Sequence, residues 1–82
     1  MKDVRFPRLS EKEPEAEGVM STWFVDEGAS VAAGDLIGEV MVEKVSGEVR
    51  APAGGRIHLT VSEDDVVRQG SVIATIAELA PS

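Results

Sequence analysis

Apolar residues recur along this chain in short bursts, not in long periodic stretches. Val4 and Phe6, reaching toward Arg8, open with an alternating pattern. After it come Val19 to Val25, Leu36 to Val42, Val45 to Ala51, Ile57 to Val61 and Val72 to Ile76, punctuated by Gly, Asp and Pro. No window of helical length repeats every 3.6 residues, whereas short period-two runs with turn signals between them mark strands. The pattern predicts an all-β domain, a barrel or sandwich. Richness in valine agrees, because a β-branched side chain fits a pleated surface better than a helix.

Between the first two runs lies Ser10-Glu11-Lys12-Glu13-Pro14-Glu15-Ala16-Glu17-Gly18. Ser10 and Glu13 have the spacing of a capping box, but Pro14 and Gly18 stop a helix from growing. The segment reads as an exposed acidic loop carrying Glu11, Glu13, Glu15 and Glu17. At the other end Ala80-Pro81-Ser82 reads as a frayed end or the start of an Ala/Pro linker, which leaves one domain over residues 1–79.

An internal repeat organises the middle of the chain. Val25-Asp26-Glu27-Gly28-Ala29-Ser30-Val31-Ala32-Ala33-Gly34-Asp35-Leu36-Ile37 lies over Val61 to Ile73 without a gap, at an offset of 36 residues. The valine before the turn, the acid at its start, the second valine, the turn glycine and the closing apolar pair all match. Gly34 and Gly70 occupy the position where other residues pay a backbone cost. Two copies are too few for a solenoid. They suit two half-sheets related by a pseudo-two-fold.

The repeats are joined by Leu36 to Pro52, whose alternation fixes a hairpin. Leu36, Gly38, Val40 and Val42 share one face on the way in, and Val45, Gly47, Val49 and Ala51 share it on the way out. Keeping that face inward requires Val42 opposite Val45, Val40 opposite Gly47 and Gly38 opposite Val49. Glu43 and Lys44 are then left at the apex. Two-residue hairpin loops favour glycine or asparagine because the favoured turns need positive φ, so a Glu-Lys apex breaks a local rule. Such breaks concentrate where function resides; the plainer reading is a solvated charged turn. Lys44 is the only lysine of the sheet region, Lys2 lying at the terminus and Lys12 in the acidic loop.

Charge and composition remove several function classes. A net charge of −7 over 82 residues repels phosphates, which argues against nucleic acid. No cysteine is present, so there is neither a disulfide framework nor a thiolate metal site. No apolar run is long enough to span a bilayer and none has signal-peptide character, so no membrane partner is expected. Cytoplasm is the expected location, or an organelle matrix for a processed fragment.

Other candidates have simpler roles. His58 alternates with Ile57 and Leu59 and should face solvent. Glu63-Asp64-Asp65 aligns with the turn Asp26-Glu27-Gly28 and lacks EF-hand spacing, so no metal site is expected. Pro52 to Gly55 is a turn without the following helix a phosphate loop needs. Trp23 and Phe24 read as core and rim. No nucleophile motif accompanies His58, so no catalytic residue is assigned.

The stretch from Glu39 to Gly55, with its acid-lysine-small motif, its strand ending in Ala51-Pro52 and its glycine turn, resembles the modification hairpin of the biotinyl/lipoyl carrier domain family. Glu17-Gly18-Val19 with Trp23 to Gly28, and Val66 to Ile73, resemble the second strand and final turn of lipoyl domains. The resemblance runs from about Val4 to Glu78. It implies a flattened barrel or sandwich of two four-stranded antiparallel sheets, with the modified lysine and the chain termini at opposite ends. It also implies that Lys44 bears the prosthetic group, flanked by Val42, Glu43 and Val45. Biotin carriers place methionine on both sides of the lysine, whereas lipoyl domains have an acid before it and alanine after it. Glu43 fits lipoyl, and Val45 departs from the alanine.

The implied function is a lipoate-bearing swinging arm without an active site of its own. It carries acyl groups and reducing equivalents between the enzymes of a 2-oxoacid dehydrogenase complex. The implied partners are a lipoate ligase or lipoyl transferase, a thiamine-dependent decarboxylase, an acyltransferase and dihydrolipoyl dehydrogenase. The family also places the loop between the first two strands, here Ser10 to Glu17, near the lysine as a decarboxylase contact. The alternatives are a biotin carboxyl carrier using the same Lys44, and an unmodified interaction module.

Overall fold

The computed structural model describes residues 1–10, 12–13 and 15–78. Glu11 of the acidic loop and the 80–82 tail lie outside the described residues. Eight strands form: β1 (Lys2–Arg5), β2 (Glu17–Trp23), β3 (Ser30–Val31), β4 (Leu36–Val42), β5 (Val45–Arg50), β6 (Gly55–Leu59), β7 (Val66–Arg68) and β8 (Val72–Glu78). They make two four-stranded sheets, ordered β1-β8-β6-β3 and β5-β4-β2-β7, with every pair antiparallel. Each sheet keeps two open edges, so the architecture is a flattened sandwich and not a closed barrel.

Inward residues of both sheets supply one core. Phe6, Met20, Ile37, Val40, Val42, Ile57, Ile73 and Ile76 are its largest members, all removed from water, with Trp23, Leu59 and Val61 packed against it. Trp23 also donates its indole N–H to the Val61 carbonyl at 3.0 Å. Its polar end is thus satisfied while the ring covers the core. Phe24, next in sequence, is half exposed at the rim.

The repeat seen in sequence is a repeat of backbone geometry. β4 and β8 sit at the 36-residue offset, as do β3 and the first two residues of β7. Gly28 at φ 82 corresponds to Asp64 at φ 72, and Gly34 at φ 91 to Gly70 at φ 84. Phe24 N–H donates to Ile37 carbonyl at 2.9 Å, and Thr60 N–H to Ile73 carbonyl at 3.0 Å. The two turns also brace each other. The Glu63 carboxylate accepts the Trp23 N–H at 2.9 Å, and that of Glu27 accepts the Leu59 N–H at 2.7 Å. Each repeat therefore caps the other's strand end, and folding one half without the other leaves those donors open.

The pseudo-symmetry extends to a second match. Asp3-Val4-Arg5-Phe6-Pro7 stands over Glu48-Val49-Arg50-Ala51-Pro52 at an offset of 45 residues. Arg5 donates to the Gly70 carbonyl at 2.9 Å and lies 3.5 Å from Asp3. Arg50 donates to the Gly34 carbonyl at 3.0 Å and lies 3.5 Å from Glu48. Strands β1 and β5 are thus equivalent edges, each clipped to a left-handed glycine turn.

Three expectations need correction. A register shift between Leu36 and Gly38 breaks the alternation, so Ile37 is buried and Leu36 is exposed. A bulge places two consecutive residues against one partner and turns the strand over. Val45 pairs with Val42 as expected, yet it is 49% exposed, because at the tip no facing strand covers it. Glu17 belongs to β2, paired with Arg68, and not to the loop.

Candidate functional site: the apex of the β4–β5 hairpin

The β4–β5 ladder runs Gly38–Val49, Glu39–Glu48, Val40–Gly47, Met41–Ser46 and Val42–Val45. This is the register required by the alternation, and it leaves Glu43 and Lys44 as a two-residue apex. The broken turn rule is resolved by strain. Glu43 takes φ 54, the left-handed region, and is one of two non-glycine residues with positive φ among the described residues. An ordinary L-residue gives up about 1–2 kcal/mol to enter that region. Glu43, Lys44, Val45 and Ser46 are all exposed, while Val42 immediately before them is 2% exposed. The amine of Lys44 therefore stands at the end of a stiff, core-anchored hairpin. Among the described residues no carboxylate forms an ion pair with it.

The loop after β1 lies beside this apex. Gly47 has no room for a side chain because the Leu9 methyls occupy the space where a Cβ would stand. Gly18 is closed off in the same way by Phe6, Val42 and the Met41 carbonyl. Gln69, almost fully buried, ties the loop down. Its Oε1 accepts the Ser10 N–H at 2.8 Å, and its Nε2 donates to the Glu13 and Ala16 carbonyls at 3.0 and 3.1 Å. Ser10 Oγ accepts the Glu13 N–H at 3.3 Å, so the capping-box spacing serves a turn and not a helix. Glu13 and Glu15 remain exposed on the loop, and Glu17 at the start of β2.

Gln69 escaped the sequence reading. Its only signal was that one repeat carries a glutamine where the other has Ala33, a side chain with no partner inside its own repeat.

The chain termini lie at the other end. Val42 at the end of β4 and Phe6 both crowd Gly18, and Phe6 bonds to Ser71 just before β8 begins. β8 therefore starts near the apex and runs away from it. It ends at Glu78, paired with Gly55, while Lys2 of β1 pairs with Ile76. The molecule extends 44 Å along its longest axis and about 20 Å across. A cleft of about 450 Å3, between the turn pairs Trp23–Glu27 and Leu59–Glu63, sits at the middle of the pseudo-two-fold.

The remaining chemical candidates are structural. His58 is 62% exposed, and its Nδ1 lies 2.7 Å from Glu27 Oε2. That hydrogen bond and the Leu59 N–H hold the Glu27 carboxyl below the ordinary glutamate range. Among the described residues no three His, Asp or Glu side chains gather as a metal site. Glu63-Asp64-Asp65 is the turn its alignment implied.

The comparisons with known proteins agree with this geometry. The family Biotin_lipoyl, described as biotin-requiring enzyme, matches residues 2–76. This chain belongs to that family. The solved lipoyl domain of the 2-oxoglutarate dehydrogenase complex from Azotobacter vinelandii is 30% identical, with a TM-score of 0.76 over 95% of this chain and 98% of that one. A dihydrolipoyllysine-residue acetyltransferase component of the pyruvate dehydrogenase complex of Corynebacterium glutamicum is 35% identical over 77 residues, 93% of this chain. A succinyltransferase component of the 2-oxoglutarate dehydrogenase complex of Cupriavidus necator is 37% identical over 75 residues, 90% of this chain. The chain spans only 11% and 18% of the lengths of those two relatives. The family spans biotin and lipoyl carriers, and the three proteins named here are lipoyl proteins by their names. This family member is a lipoyl-type domain with the sandwich fold.

Proposed function

We propose that this domain is a lipoyl carrier with Lys44 as its attachment point, serving a 2-oxoacid dehydrogenase complex. The observation that carries the reading is the position of Lys44, exposed at the two-residue apex of a core-anchored hairpin, whereas Lys2 lies in β1 at the far end and Lys12 lies in the loop after it. The lipoyl proteins named among its relatives favour lipoate over biotin, as does an acid directly before the lysine. A carrier needs a tip that enters other proteins' active sites, and an exposed two-residue turn on a core-anchored hairpin suits it.

A lipoate ligase or lipoyl transferase would join the ε-amine of Lys44 to the activated carboxyl of lipoate as an amide, turning a cation into a neutral link. Bound lipoate supplies a reversible disulfide that accepts an acyl group and a pair of electrons. The residues of this chain position the arm. Val40, Val42 and Val49 anchor the strands on either side of the apex, and Glu43 fixes the turn that projects the amine. Gln69 holds the loop after β1 at this end, where Glu13 and Glu15, with Glu17 at the start of β2 and Glu43 at the apex, present negative charge to basic partner surfaces. Tethering makes encounters with the decarboxylase, the acyltransferase and dihydrolipoyl dehydrogenase effectively intramolecular.

Intact mass after separate co-expression with a lipoate ligase and with a biotin ligase tests the assignment. A lipoyl adduct that disappears in Lys44→Ala is the expected result. A biotin adduct would move the domain to the carboxylases, and no adduct with either would make it an unmodified interaction module.

A further inference from the structure

The two sheets share a backbone plan, so equivalent positions show what the fold itself demands. Near the apex, one rung crosses the outer face of the β5-β4-β2-β7 sheet through Met41, Val19 and Val66. The equivalent rung of the other sheet, allowing for the register shift after Met20, is Ala77, Arg56 and Ser30. The polar half shows that this scaffold needs no large apolar groups there. Yet Met41, Val19 and Val66 are 44%, 36% and 65% exposed, side by side. A contiguous exposed apolar strip rimmed by polar residues is a usual mark of an interaction surface.

A second departure lies on the same face. Glu39 stands directly opposite Glu48 across β4 and β5, where the other half places Thr75 opposite Asp3. Like charges opposite one another on antiparallel strands are unfavourable. On the tip side of the rung are Glu17, opposite Arg68, and the apex pair Glu43 and Lys44, whose amine loses its charge on acylation. The apolar strip is thus bracketed by carboxylates on both sides.

We propose that this face docks the enzyme that loads the Lys44 arm, through a partner surface with an apolar centre flanked by basic side chains. The proposal rests on the carrier reading given above. Met41 lies two rungs back from the Glu43–Lys44 apex, about 7 Å along the strand. An enzyme drawing the arm into a deep site must lie against one flank of the tip, and this flank carries the apolar strip with Glu39, Glu48, Glu17 and Glu43 around it, against Arg50 beside Glu48 and Arg68 opposite Glu17. A second copy of the chain is a poor occupant, since each copy brings a net charge of −7. The arm itself, laid on a flat rung, would stay open to water on one side.

The test uses the lipoylated domain as substrate for the thiamine-dependent decarboxylase component, of pyruvate or 2-oxoglutarate type, that acylates it. The triple variant Met41→Ala, Val19→Arg, Val66→Ser installs the residues of the opposite sheet, which the same backbone already carries. Lipoylation by the ligase is confirmed first by intact mass; a wild-type domain that takes no lipoate overturns the carrier reading and the docking face with it. The expected result is a loss of about tenfold or more in kcat/KM, carried by KM, with kcat retained. Arg56→Ala with Ser30→Ala should leave KM unchanged. Methyl NMR of the wild-type domain, independent of how well the variant folds, should show the Met41, Val19 and Val66 signals broadening when the decarboxylase is added. An unchanged KM in the folded, lipoylated variant overturns the proposal, as does broadening confined to the opposite sheet. Contacts between the arm and these methyls without enzyme, or a dimer lost in the variant, would assign the strip to another occupant and also overturn it.

Discussion

The two ends of this molecule are built from one template and put to different use. At one end β4 turns directly into β5, and the connection carries Glu43 and Lys44. At the other, the equivalent strands β8 and β1 are not joined, and the chain starts and stops there. Everything the fold needs is present twice: the left-handed turn glycines, the arginine clips and the crossed carboxylates. What occurs once is the closed apex, the apolar rung beside it and the Gln69 tether. Position in a duplicated framework therefore separates what holds the sandwich together from what the apex does.

The largest effects should come from the shared framework. Gly18 and Gly55 are equivalent across the register shift in β2, and both sit where a Cβ has no space. At Gly55 the obstruction is the Ala77 carbonyl and φ is 154. At Gly18 the obstruction is the buried Phe6 ring together with the Met41 carbonyl, but the backbone there is free of the left-handed strain of Gly55. Gly55→Ala should cost about 3 kcal/mol or more and Gly18→Ala somewhat less, read from urea midpoints at constant slope. Equal costs would show that the two ends do not differ in rigidity.

This comparison also shows how far the sequence could be read. The 36-residue repeat was visible because turn glycines and valines recur without a gap, and hairpin alternation placed Lys44 at the apex to the residue. The match between Asp3–Pro7 and Glu48–Pro52 was equally present. It runs at a different offset, because the pseudo-two-fold pairs the end of the chain with its beginning, so a scan at one offset passes over it. Ile37 and Leu36 were exchanged because a bulge leaves no mark in an apolar pair. β3 and β7, two and three residues long, are too short to alternate visibly. Partnerships such as Gln69 with Glu13 and Ala16 span more than fifty residues, and local patterning carries no information about them.

The crossed carboxylates give an intermediate effect with a clear asymmetry. Glu63 accepts one backbone N–H, whereas Glu27 accepts one and also meets His58. Glu27→Gln should therefore lower the thermal midpoint more than Glu63→Gln. The pH dependence has a definite sign. Glu27 is held below its unfolded value, so its contribution is complete above the ordinary glutamate pKa and fades as pH falls through the lowered one. Wild type and Glu27→Gln should thus converge in stability under acid, and a carboxyl-carbon NMR titration of Glu27 should report the depressed pKa directly. A gap that stayed constant into acid would assign the brace to packing.

The smallest expected effect concerns the paired turns. Gly28 and Asp64 adopt nearly the same left-handed φ, and a Cβ at Gly28 would meet open space. The difference between the repeats is thus conformational preference alone. Left-handed backbone costs Asp less than most residues, and glycine gives back part of any relief through the freedom it gains when unfolded. Asp64→Gly should therefore stabilise by only about 0.5 kcal/mol, and Gly28→Asp should destabilise by a similar amount. Because the two changes exchange the same residues at equivalent sites, the double swap should lie close to wild type. A substantial net loss would mean that Asp64, whose N–H reaches the Met20 carbonyl at 2.7 Å, does more through its side chain than the shared backbone requires.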